Sequence, residues 1–98
     1  MIVEFVVAAG KREQSRWHAR LDGDRVVSVA AGPSPEPADV VFTMTPADAQ
    51  ALHDGTLDLS VGFMRGQVKM AGDFGALLWF LPRTHGPDAP LRFSALEA

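Results

Sequence analysis

The sequence contains no cysteine. Disulfides, thiolate metal sites and cysteine nucleophiles are therefore excluded, and the composition suits a reducing cytoplasm. Histidine is scarce. His18, His53 and His85 are the only three, and none has the spacing to a second ligand that a metal site needs. We read all three as structural or solvated and expect no metal. Runs of positive charge are also missing. Lys11 and Arg12 stand together, the other seven basic residues are scattered, and the net charge is −3. Such a chain has no track for a phosphate backbone, so no nucleic-acid partner is expected. No apolar run approaches the ~20 residues that span a bilayer, which excludes a transmembrane helix. Met1 leads straight into a strand pattern with no basic stretch before it, so no signal peptide is expected and the location is read as cytoplasmic.

Catalytic motifs are absent in the same way. Asp73-Phe74-Gly75 copies a kinase triplet, but the HRD and VAIK companions are missing. Gly72 to Gly75 also spells GxxG, yet it holds an acid and leads into an apolar segment, unlike a phosphate-gripping loop. No GK[ST] occurs, no serine lies in GxSxG, and the acids are dispersed. A hydrolase or isomerase built on His18 or His85 finds no supporting motif. The expectation is a protein that is not an enzyme, with no catalytic residues and no cofactor.

What is present is patterned apolar sequence. At 98 residues and 47% hydrophobic, the chain makes one domain that buries about 60–65% of its unfolded surface, a thin core. Residues 2–9, IVEFVVAA, read as a strand apolar on both faces and so covered on both sides. Residues 14–22 alternate: Trp17, Ala19 and Leu21 point one way, Arg16, His18 and Arg20 the other. Asp22-Gly23 predicts a tight hairpin into a strand over 25–31, completing an antiparallel meander. The segment 32–37, GPSPEP, is a loop, because its prolines cannot join a ladder. A fourth strand spans 39–45, with Val40, Phe42 and Met44 on one face. Thr45 as N-cap, Pro46 at the first position and Gly55 at the stop predict a helix.

Residues 61–82, VGFMRGQVKMAGDFGALLWFLP, are the most apolar part. They predict a short apolar turn, a strand over 67–71 with Val68 and Met70 inward, and an apolar helix capped by Asp73 and stopped by Pro82. That helix is apolar around its whole circumference, so it is buried on all sides or faces something apolar outside the protein's own core. Residues 82–90 read as loop, and LRFSALEA as a short helix or frayed end with Leu91, Phe93 and Leu96 able to dock. The single domain therefore divides into a four-strand region (1–45), a helix (46–55), a strand and apolar helix (61–82) and a C-terminal tail (83–98). The fold class is α+β: one mainly antiparallel five-stranded sheet with helices packed on one face.

The ordered series of motifs resembles the sterol carrier protein-2 (SCP-2) family. ADVVFTMTPADAQALHDGTLD matches its strand-helix-glycine segment through Ala38, Asp39, Val40, Thr43, Leu52, Gly55 and Leu57. FMRGQVKMAGDFGALLWF matches its second segment through Phe63, Gly66, Val68, Lys69, Met70, Gly72 and Asp73. Trp17, Leu21 and Gly23 suit its hairpin. The likeness runs from residue 14 to 81. It implies an SCP-2-like fold and non-enzymatic binding of a sterol, fatty acid, acyl-CoA or other lipid in an apolar groove between sheet and helix. Read together with the apolar patterning, the expected ligand-binding residues are Met44, Phe63, Met64, Val68, Met70, Phe74, Leu77, Leu78 and Trp79. Three of these are methionines, adaptable side chains suited to varied apolar ligands. The family's helices before the first strand have no counterpart in this sequence, which is read as a minimal form with one cover of the sheet missing. The alternative is that the surface so left is a homodimer interface, and that the protein is an interaction or accessory module without lipid transfer. The expected partners are thus an apolar small molecule or lipid, or a second copy.

Overall fold

The computed structural model describes residues 1–86 and 88–97. Pro87, in the loop expected over 82–90, and Ala98, the last residue of the expected tail, lie outside the described residues. The elements are β1 (Ile2–Ala9), β2 (Arg12–Asp22), β3 (Arg25–Ala31), β4 (Val40–Met44), α1 (Pro46–Asp54), α2 (Leu59–Met64), β5 (Lys69–Gly72) and α3 (Phe74–Phe80). Two 3₁₀ turns follow, η1 (Leu81–Thr84) and η2 (Phe93–Ala95).

The strands form one sheet in the order β3-β2-β1-β4-β5. The meander of β1, β2 and β3 is antiparallel, as its turn chemistry predicts, and β5 is antiparallel to β4. β1 and β4 are parallel, the one such pair, with Phe5 beside Phe42. A parallel neighbour needs a crossover, and the proline-rich segment supplies it. This loop runs over the back of the sheet, where its backbone bonds to side chains instead of a ladder. Ser34 N–H donates to Glu4 Oε1 at 2.8 Å, and Glu36 pairs with Arg20. Glu4, although buried, is also held by Arg16 at 3.0 Å, so its charge is compensated. Ile2, Glu4 and Val6 are buried on this side of β1, and Val3, Phe5 and Val7 on the other. The first strand is thus covered on both faces.

The helices lie on the second face, over Val3, Phe5, Val7, Ala19, Leu21, Val40, Phe42 and Met44. α1 starts and stops where its cap residues predict. Thr45 accepts from Asp48 N–H at 3.2 Å, and Gly55 closes the helix with φ +80. α3 is capped by Asp73, which accepts from Gly75 N–H at 2.8 Å. One expectation needs correction. The short apolar turn expected at the start of 61–82 is instead part of a helix, α2, begun by Asp58 accepting from Ser60 N–H at 2.9 Å. Sequence patterning reads such a six-residue helix poorly, because it is too short to show a period. The apolar α-helix does stop ahead of Pro82, at Phe80, as expected, and Pro82 takes up the tighter turn that follows. It occupies the first turn of η1, where its missing N–H costs nothing.

Gly72 fixes how β5 meets α3. Its φ is +122, and a Cβ there would lie 2.3 Å from the Asp39 carbonyl oxygen. Only glycine lets β5 close against β4 at this point and then turn into the helix.

Candidate functional site

The apolar interior divides between two ends of the helix layer. At one end, Phe93 of the tail packs edge-on to Phe5 at 5.5 Å and to Trp17 at 6.0 Å, while Phe5 and Trp17 stack at 5.2 Å. Trp17 Nε1–H donates to the Leu96 carbonyl at 2.7 Å, so the indole's polar tip is satisfied by the same tail. Leu91 and Leu96 are fully buried. The tail is therefore docked, not frayed. At the other end, Leu77 and Phe80 of α3 are fully buried, with Phe80 against Phe42 at 5.7 Å.

The nine residues expected to bind a ligand occupy three kinds of position. Met44, Val68 and Leu77 belong to the buried cluster. Phe63, Met70 and Trp79 are partly buried against it. Met64, Phe74 and Leu78 face solvent, 80%, 64% and 59% exposed. Phe74 and Leu78 are one helical turn apart and share a side of α3 turned away from the buried Leu77 and Phe80. The helix that is apolar all round is thus sealed against the sheet on one side and open on the other.

Next to the sheet-helix interior lies an open cleft of about 410 Å³. It is bounded by the end of α1, the start of α2, the end of η1 and the tail. Leu52, Leu57, Leu59 and Phe93 form its apolar wall, and His53, Asp54, Asp58, Arg92 and Ser94 its polar rim. The volume lies within the usual range for ligand sites. Sequence reasoning did not single out this set. Leu52 and Leu57 were legible as apolar positions, but only folding brings residues 52–59 against 92–94.

Two polar clusters edge the cleft. Asp58 receives Ser60 Oγ–H at 2.7 Å and Gly86 N–H at 3.2 Å, and His85 Nδ1 lies 3.2 Å away. Partial burial works to raise the Asp58 pKa, but the Ser60, Gly86 and His85 hydrogen bonds outweigh it and hold the carboxyl below its usual range. Serine, histidine and aspartate meet here, yet not as a triad. Ser60 and Asp58 both approach the same ring nitrogen of His85, and the Ser60 hydroxyl points to Asp58. The histidine does not stand between nucleophile and carboxylate as a base must. The cluster instead ties the end of η1 to the start of α2. The second cluster pairs His53 Nδ1 with the Glu97 carboxylate at 2.9 Å, joining α1 to the tail. The Glu97 hydrogen bond and charge raise the His53 pKa, with Asp54 adding to the effect. His18 lies on the back of the sheet, 2.9 Å from the Gly32 carbonyl, away from the cleft. Among the described residues, no group of three or more His, Cys, Asp or Glu is arranged to hold a metal, and no helix is long and apolar enough to cross a membrane.

Solved structures share this architecture. Apo sterol carrier protein 2 from Yarrowia lipolytica is 27% identical with a TM-score of 0.58, over 74% of this chain and 56% of that one. Sterol carrier protein-2 from Aedes aegypti, solved in complex with palmitate, is 17% identical with a TM-score of 0.57, over 83% of this chain and 69% of that one. The chain thus spans little more than half the length of the Yarrowia protein. A stereoselective inverting sec-alkylsulfatase from Pseudomonas sp. matches all of this chain within 15% of its own, at 20% identity and a TM-score of 0.58. At such identities the last two likenesses establish the fold alone. No curated protein matches the sequence. The profile of the SCP-2 sterol transfer family matches residues 2–80, and with the five-stranded sheet and its helix layer this shows that the chain belongs to that family.

Proposed function

We propose that the protein is a non-catalytic binder of a lipid-type apolar ligand, a sterol, fatty acid or acyl-CoA, held between the helix layer and the sheet. The observation that carries this reading is the cleft with a leucine and phenylalanine wall, opening beside the sheet-helix interior of an SCP-2 domain. Its wall residues Leu52, Leu57, Leu59 and Phe93 belong to the same apolar cluster as Met44, Val68 and Leu77. A ligand chain enters by the cleft and extends into that cluster, along Met44, Val68, Met70, Leu77 and Trp79 and past Phe63. The polar rim holds the head group. The palmitate bound by the Aedes relative supports a ligand of this class.

Titration with a fluorescent fatty acid tests the proposal. Ser94 is exposed on the cleft rim, so Ser94→Trp blocks the entrance without disturbing the core. Wild-type binding that Ser94→Trp abolishes and Leu78→Asp retains is the expected result. No binding by the wild type, or equal binding by wild type and Ser94→Trp, overturns it.

A second reading, a homodimeric or accessory module without lipid transfer, draws on the match of the whole chain to a small part of a much larger enzyme. A dimer using the open side of α3 is expected to bury ~1,600 Å². Sedimentation velocity at high micromolar concentration decides it, since a monomer rules out the homodimer.

A further inference from the structure

The sheet has two edges, β3 and β5. An edge offers a row of backbone N–H and C=O groups to any strand that reaches it, and proteins blunt such rows with short strands, charged side chains or proline. β5 is blunted, having four residues and carrying Lys69. β3 is not. It has seven residues, and after Arg25 it reads Val26-Val27-Ser28-Val29-Ala30-Ala31, with no charge and no proline. Val27, Ser28, Ala30 and Ala31 are exposed, Val27 to 51%.

The register shows which backbone groups are open. Gly32 N–H donates to the Arg16 carbonyl at 2.8 Å, so residues 16 and 32 form a hydrogen-bonded pair. Such pairs alternate along an antiparallel ladder. Ala30, opposite His18, therefore bonds to β2. Val29, opposite Ala19, and Ala31, opposite Trp17, turn their N–H and C=O groups away from it. Toward the hairpin the row is broken by a bulge at Val27, since Arg20 pairs with Ser28 but Leu21 with Val26. The flat, open segment is thus 28–31.

We propose that this segment pairs antiparallel with the same segment of a second copy, about a two-fold axis at Ala30. In that register Val29 and Ala31 of one protomer exchange both hydrogen bonds with Ala31 and Val29 of the second copy. Self-complementarity selects this occupant, because an isologous contact requires a surface that fits itself. Ala30 meets Ala30, and Ser28 meets Gly32. The exposed Val27 comes to the exposed Pro33, whose missing N–H costs nothing at the end of a ladder. Between residues 27 and 33 there is no charge to oppose another. Opposed residues of an antiparallel pair share a face, so both helix layers lie on one side of the joined sheet. The proposal gives the homodimer reading a surface other than the open side of α3, and it does not depend on the cleft.

Sedimentation velocity over a concentration series, combined with cysteine capture, tests the pairing. The chain has no cysteine, so Ala30→Cys introduces a single thiol. Residues opposed without hydrogen bonds lie about 4.5 Å apart at Cα, within the ~4.4–6.8 Å that a disulfide spans. Ala30→Cys is expected to form a disulfide dimer on mild oxidation at low micromolar concentration, while Ser28→Cys, exposed on the same strand, stays monomeric. The wild type is expected to shift toward a dimer at high micromolar concentration. Ala31→Pro removes an N–H that the single protomer leaves open, and is expected to raise the dimer dissociation constant roughly tenfold or more while its melting temperature stays at the wild-type value. Leu78→Asp keeps the dimer, and Ala31→Pro keeps the wild-type titration with the fluorescent fatty acid, so failure of the ligand site and failure of the pairing are distinguishable. A wild type that stays monomeric at high micromolar concentration overturns the proposal. So do equal disulfide yields from the two cysteine variants, an unchanged dissociation constant for Ala31→Pro, or a dimer that Leu78→Asp dissociates.

Discussion

Over β1 and β2 the sheet is closed by the chain's own tail, whereas over β4 and β5 it is closed by a helix that keeps large apolar side chains outside. At the first end the tail's large apolar residues are used inward: Phe93, Leu91 and Leu96 are buried, and Trp17 packs against Phe5 and Phe93. At the second, Leu77 and Phe80 are equally buried, but Phe74 and Leu78 of the same helix are not. Leaving such a side chain in water forgoes about 1.5–3 kcal/mol that burial would supply. The first end is thus built for stability, and the second gives up stability for a surface. The cleft lies between them, lined by α1, α2, η1 and the tail.

Mutations break this contrast or sharpen it. The largest effect is expected from Phe93→Ala, which removes the ring that fills the tail end. Loss of about 3–5 kcal/mol in a denaturant titration is the expected outcome. Leu78→Ala, by contrast, is expected within about 0.5 kcal/mol of wild type, and comparable losses for the two variants would erase the distinction. Gly72→Ala is next. The forced contact with Asp39 and the positive φ make a loss of about 2–4 kcal/mol the expected result. Amide exchange is then expected to quicken in β5 and α3 before β1 and β2. Thr45→Ala removes the α1 cap, and about 1 kcal/mol should go with it by thermal unfolding.

The smallest effect concerns the His53–Glu97 bridge, which ties α1 to the tail at the surface. The folded-state pKa of His53 is raised above its unfolded value. The bridge's contribution is therefore fully present below the unfolded value of about 6.5 and is lost as pH rises through the raised folded value. Melting temperatures on either side of that window should differ more for wild type than for Glu97→Gln. An identical pH dependence in both proteins would show that the bridge does not help to hold the tail.

Parts of this architecture are legible in the sequence. The alternation at Trp17, Ala19 and Leu21 specifies which face of β2 is buried, because side chains alternate along any strand. Thr45, Pro46 and Gly55 mark both ends of α1, and Asp73 the start of α3, because capping needs only near neighbours. The parallel pairing of β1 with β4 is less legible. It depends on where residues 32–39 cross, and their backbone groups find partners, Glu4 among them, that are distant in sequence. α2 is hidden for a different reason, since its stability comes from Asp58 at one end and Gly62 packed against Leu57 and Val68.

Local signals in the sequence specify the five strands, the caps of α1 and α3, the family motifs and the excess of apolar residues in 74–81. The sequence also excluded thiol chemistry. The tertiary structure alone decided which of those apolar residues are inside. Burial is a property of distant partners: Phe80 packs on Phe42 of the sheet, and Leu77 joins the same buried cluster, while Phe74 and Leu78 do not. It alone also decided that residues 91–96 cover the sheet, because the ring that receives Phe93 is formed by Phe5 and Trp17, some eighty residues earlier.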